Sequence, residues 1–222
     1  MPIPQLLLFL PLAVFLTCGY AESKAKPAPW VGADIHGVAC SGSSQGVGPF
    51  DYFQKKSVEA QKNLNSIEEA HFSARVESLV SGALASDLDI ILNAWPNHHR
   101  ALLSVARYQL KINEKLSKDG PLLSAPECYF QRAVNFSPKD AVTRSLYGYY
   151  LRKIGRLKEA ATVYEEATQL APGIAKIEYA YSLLLIDLKQ YDQALIHAKN
   201  AYSQGTPPPG LKKKLIALGV WK

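Results

Sequence analysis

Residues 140–172 read DAVTRSLYGYYLRKIGRLKEAATVYEEATQLAP, and this stretch decides the fold. Pro138 and Pro172 bracket it, and Pro96 and Pro207 continue the punctuation on either side. Shifting the frame by one such interval, from Pro138 to Pro172, finds the same kinds of side chain again. Tyr147, Gly148 and Leu151 are matched by Tyr181, Ser182 and Leu185, and Ala160, Tyr164 and Ala167 by Ala194, Ala198 and Ala201. Thr206 stands where the closing proline is expected, with Pro207 one position later. Two units in register, with small residues at matching places, mark a repeat array.

The stretch resembles a tetratricopeptide repeat, whose pattern is W-x2-L-G-x2-Y, then A-x3-F, then A, then P. Gly148 is the glycine, Ala160 and Ala167 are the alanines, and Pro172 ends the unit. Arg144 replaces the Trp, Tyr147 the Leu, Leu151 the Tyr and Tyr164 the Phe. Gly148 and Ala160 are small because two antiparallel helices cross closely there. Gly155 falls in the turn between them, where a residue without Cβ tolerates positive φ. The resemblance implies an all-α superhelix of antiparallel helix pairs. It also implies an adaptor that holds a peptide or protein segment in a concave groove lined by the first helix of each pair.

Outward from these two repeats, assigned to 139–206, the pattern weakens. Ala101 to Lys111 reads as a first helix and Tyr129, Phe130 and Ala133 as a second, with INEKLSKDGPLLSAPE lengthening the turn between them. Upstream, Val76, Leu79, Val80 and Ala83 recur at threes and fours, as do Leu88, Ile91, Leu92 and Trp95. Ser86 and Asp89 form an S-x-x-D helix start, and Pro96 is the stop. Residues 73–138 are therefore expected to be degenerate helix pairs. Residues 207–222 are a capping helix with Leu211, Leu215 and Leu218 on one face, kept soluble by Lys212, Lys213 and Lys214.

The N-terminal part is of another kind. An apolar run from Leu6 to Leu16, too short to span a bilayer comfortably, precedes Gly19-Tyr20-Ala21. It reads as an export signal over 1–21, despite an n-region without Lys or Arg. An uncleaved anchor or a buried apolar helix shares these features. Cys18 offers a lipoprotein alternative, in which the chain is tethered to a membrane, although only the Cys and its apolar lead-in fit. Export makes the location periplasmic or secreted. Residues 22–72 are sparse in apolar positions, with Pro- and Gly-rich stretches and a helix-permissive tract from Asp51 to His71. Once the signal is removed, Cys40 and Cys128 remain, an even count that suggests a disulfide in an oxidising compartment.

The 222 residues are 48% apolar and 20% charged, with net charge +6. This is globular composition with a mild preference for acidic partners. If the groove exists, Arg100, Leu103, Arg107, Ser145, Tyr149, Arg152, Lys176, Tyr179 and Leu183 line it. Cations mixed with tyrosines suit an acidic or aromatic segment. The places where some family members hold a terminal carboxylate lack Asn, so that specificity is not carried over. Catalytic signatures are missing: no phosphate loop at 42–48, no C-x-x-C-H, no G-x-S-x-G. Cys40 and His36 lack a third orienting group. His98 and His99 are adjacent and do not share a helix face, so a metal site is not expected. The imidazoles are expected to pack against the N-terminal segment behind an Asn97 cap. Glu68-Glu69 and Glu165-Glu166 read as solvated faces. No cofactor, no metal and no nucleic-acid partner are expected, the last because export argues against it. The reading is a non-enzymatic interaction scaffold of the cell envelope. The alternatives are a cell-wall-associated enzyme built on 22–72 and a lipid-anchored adaptor.

Overall fold

The computed structural model describes residues 26–43, 46–80, 84–113 and 121–222. The expected export signal, Cys18, Ala83 and most of the lengthened turn after Asn113 lie outside them. Among the described residues the chain is all-α. The helices are α1 (Val58–His71), α2 (Ala74–Glu77), α3 (Leu84–Ala94), α4 (His99–Asn113), α5 (Pro126–Phe136), α6 (Ala141–Lys153), α7 (Leu157–Leu170), α8 (Ala175–Asp187), α9 (Tyr191–Ser203) and α10 (Gly210–Ala217). None is long and apolar enough to cross a membrane.

The sequence period is visible in three dimensions. Helix α8, from Ala175, begins one period after α6, from Ala141, and α9, from Tyr191, begins one period after α7, from Leu157. Both first helices close in the same way. Gly155 takes φ +83° while Arg156 N–H donates to Leu151 C=O, and Lys189 takes φ +61° while Gln190 N–H donates to Leu185 C=O. The first turn uses the residue suited to that conformation; the second carries Lys there, a strain of about 1 kcal/mol.

Aromatic stacking between units repeats as well. Phe130 stacks on Tyr147 with ring centres 5.1 Å apart, and, one period later, Tyr164 stacks on Tyr181 at 5.8 Å. Helix α5 is thus the second helix of a unit in full register, and the lengthened turn before it absorbs the irregular spacing. Helix α10 continues the register in truncated form. Its buried Leu211 and Leu215 lie one period after buried Ile177 and Tyr181.

Gly148 shows why one unit needs its glycine. A Cβ there would sit 2.7 Å from the Tyr164 ring. In the next unit the pair is Ser182 and Ala198, both buried, and Ser182 Oγ donates to Ala194 C=O. Gly148→Ala is therefore expected to lose about 2 kcal/mol to overpacking, more than the roughly 1 kcal/mol that alanine gains in helix propensity. Urea unfolding of the variant checks this; a more stable variant would mean that the ring moves aside freely.

The N-terminal segment is a strap laid over α3 and α5. Residues 26–41 follow α5 backwards. Lys26 Nζ donates to Phe136 C=O, Arg132 Nε to Ala28 C=O, Gln131 Nε2 to Ala33 C=O, and Ser124 Oγ to Ser41 C=O. A Cys40–Cys128 disulfide joins the two. The chain then follows α3 forwards, from Ser43 on Asp89 to Phe50 on Ala94 and Tyr52 on Asn97.

Asp89 does not cap a helix start. Helix α3 is already under way at Leu84, and buried Asp89 accepts from Ser43 Oγ, Asn93 Nδ2 and Tyr129 OH. The helix expected from Ser73 is short as well: α2 ends at Glu77, and Leu79 turns the chain at φ +60°.

Candidate partner-binding face

First helices touch first helices: α4 packs on α6 and α6 on α8. Among the described residues, the second helices make no comparable contact with one another. The stack is therefore more closely joined along its first helices than along its second. Among the described residues the strap is held mainly on α3 and α5, and it reaches the first helices where Tyr52 meets His98 and His99 and where Asp34, Ile35 and His36 border the C-terminal ends of α4 and α6.

The expected lining residues fall into two groups. Arg100 and Arg152 have their charges engaged within the protein. Arg100 forks onto the Glu77 carboxylate, reaches Glu68 at 3.3 Å and stands 5.1 Å from the Phe72 ring centre. Ser104 donates to Glu77 C=O beside it, so α2 covers the first turns of α4. Arg152 Nε donates to Asp187 at 2.6 Å, tying α6 to α8, and Lys214 adds a contact to the same carboxylate at 3.6 Å.

The other group stays accessible. Arg107 and Lys176 are exposed, and Leu103, Ser145, Tyr149, Tyr179 and Leu183 are half-buried. Lys153, which the sequence reading left out, is exposed one helical turn after Tyr149, with Nζ 5.9 Å from that ring's centre. Its i, i+4 spacing from Tyr149 was the available signal. Beside this face a cleft of about 630 Å3 opens, lined in part by His36, Gln109, Glu127, Tyr150 and Lys153. Tyr150 OH donates to buried Glu127 there, and burial, reinforced by that carboxylate, pushes the Tyr150 phenol well above its ordinary pKa.

The Asn97-His98-His99-Arg100 run is a junction. Asn97 does not cap α4: its Oδ1 accepts from Tyr52 N–H, and its Nδ2 donates to Asp51 and Asp140. The cap is His98, whose Nδ1 accepts from Ala101 N–H at 3.1 Å. With Nδ1 an acceptor, the proton sits on Nε2, which donates to Glu68 at 2.7 Å. Glu68 is thus engaged and is not a solvated face. Burial depresses the His98 pKa, opposed by Glu68. The two imidazoles pack against Tyr52 of the N-terminal segment, at 4.5 and 4.8 Å between ring centres. Among the described residues no three His, Cys, Asp or Glu side chains gather as a metal would require. Cys40, bound in the disulfide, is unavailable as a nucleophile to His36.

No protein-family model matches the chain, and no curated protein does. Among solved structures the chain is similar to the crystal structure of MamA, at 17% identity and a TM-score of 0.43, over 70% of this chain and 90% of that one. That overlap is too loose to add to what the helix pairing establishes: an all-α fold of tetratricopeptide-like helix pairs.

Proposed function

We propose that this chain is an interaction scaffold of the cell envelope that holds an acidic or aromatic segment of a partner protein along the first-helix face of α4, α6 and α8. One observation supports the reading: the strap is fastened mainly to α3 and α5, and Arg107, Tyr149, Lys153 and Lys176 stay accessible on the first-helix side. Arginine and tyrosine concentrate binding energy well, because each offers a large, stiff contact and a polar group. The disulfide favours an oxidising compartment, which suits an exported protein.

A displayed peptide library tests the reading. The wild-type chain is expected to enrich acidic segments that contain aromatic residues. An Arg107→Ala, Tyr149→Ala, Lys176→Ala variant is expected to bind them at least about tenfold more weakly. Arg152 is left in place because it ties α6 to α8. Equal enrichment by both proteins would move the site off this face.

A further inference from the structure

We propose that the stack docks on an anionic lipid surface through the outer side of α10. Between residues 193 and 222 the sequence has no Asp or Glu, and it carries Lys199, Lys212, Lys213, Lys214 and Lys222. Much of the chain's positive excess is therefore collected at one end. With Leu211 and Leu215 turned inward and fully buried, the roughly 100° step of a helix sends Lys213, Ile216 and Ala217 to the opposite side. Lys212 stands beside them, its Nζ 5.2 Å from the Trp221 ring centre.

Apolar side chains are exposed here as well. Leu218 occupies the position of Leu184, which is fully buried in the preceding unit. At α10, by contrast, Leu218 is 42% exposed and Ile216 52%. Trp221 is half-buried, packed edgewise on Tyr202. Lysines beside exposed Ile216 on a short helix, with Leu218 and Trp221 just after it, suit the boundary between headgroups and acyl chains. There the ammonium groups meet lipid phosphates and the apolar side chains enter the first few ångströms. A second copy meeting this end with its own like end would set lysines against lysines. One carboxylate, Asp187, faces Lys214, which leaves Lys212 and Lys213 to the outside.

Sedimentation of the full chain with phosphatidylcholine vesicles, with and without phosphatidylglycerol, tests this. Binding is expected only with the anionic lipid, and it should weaken as salt rises. Lys212→Glu with Lys213→Glu should reduce it at least about tenfold, with helicity unchanged. Lys212→Gln with Lys213→Gln should give a smaller loss and guards against a folding artefact. Arg107→Ala with Lys176→Ala, on the inner face, should bind vesicles like wild type, so this proposal and the groove reading fail separately. Equal binding to both vesicle types, or undiminished binding of the charge-reversed chain, would overturn the proposal. So would polyglutamate binding or dimerisation through this end without vesicle binding.

Discussion

Replacing Asp140 with alanine is expected to lower the unfolding free energy by about 4 kcal/mol, measured by urea denaturation at neutral pH. Asp140 is fully buried and works in two directions. Its Oδ1 caps α6 by accepting from the N–H groups of Val142 and Thr143. Its Oδ2 accepts from His99 Nε2 at 2.7 Å, Thr143 Oγ1 at 2.9 Å and Asn97 Nδ2 at 3.0 Å. Alanine removes a cap, worth about 1 kcal/mol, and strands several donors, each at about 1 kcal/mol or more. Because Asn97 also holds Tyr52 and Asp51, the loss reaches the strap. A drop under about 1 kcal/mol would mean that water replaces the carboxylate freely.

The same junction sets a pH dependence. Burial raises the Asp140 carboxyl, but the His99 and Thr143 hydrogen bonds outweigh it, and the net direction is down. Its stabilisation is therefore complete above the unfolded-state value of about 3.9 and is lost as pH falls through the lower folded-state value. His98 is depressed by burial, so it folds neutral while the unfolded chain takes up a proton below about 6.5. Both shifts act in one direction. Stability is expected to decline in two stages on acidification, the first beginning near about pH 6.5. A urea midpoint flat from neutral pH down to that of carboxylate titration would contradict the assignment of His98.

The second large effect is expected from the disulfide. Cys40 and Cys128 are 88 residues apart, and closing so long a loop restricts the unfolded chain by about 4 kcal/mol. Cys40→Ser with Cys128→Ser should lose about that much while keeping native helicity at neutral pH. The helicity should survive because Lys26, Gln131, Arg132 and Ser124 still fasten the strap along α5. Reduction of the unfolded wild-type chain should add the mass of two hydrogens. An unchanged mass would remove the bridge, and an unchanged urea midpoint in the variant would show that the polar contacts alone hold the strap.

The repeats were legible because their chemistry is local. Gly148 beneath Tyr164, Gly155 in its turn and the alanines of α7 and α9 are small for reasons that recur once per period. The strap was not legible beyond its cysteine pair. Asp89 meets Ser43 across 46 residues, and Arg132 meets Ala28 across 104, and no spacing rule encodes such partners. The helix-start reading at Ser86 failed because Asp89 is spent on that buried network. The positions expected to line the groove follow from helical period, but their ion pairs do not. Nothing near Arg100 or Arg152 in sequence announces Glu77 or Asp187. Arg144, in the place the repeat pattern gives to Trp, bridges to Glu166 at 3.0 Å.

The most direct test of the scaffold reading is site-specific photocrosslinking. A photoreactive phenylalanine analogue at position 149, on the first-helix face, is compared with one at position 196, exposed on second helix α9. The bait is the full disulfide-bonded chain, presented with the acidic, aromatic segments selected by the wild-type protein. Crosslinks from 149 and not from 196 are the expected result. Crosslinks from 196 alone would place the partner on the outer face and contradict the groove.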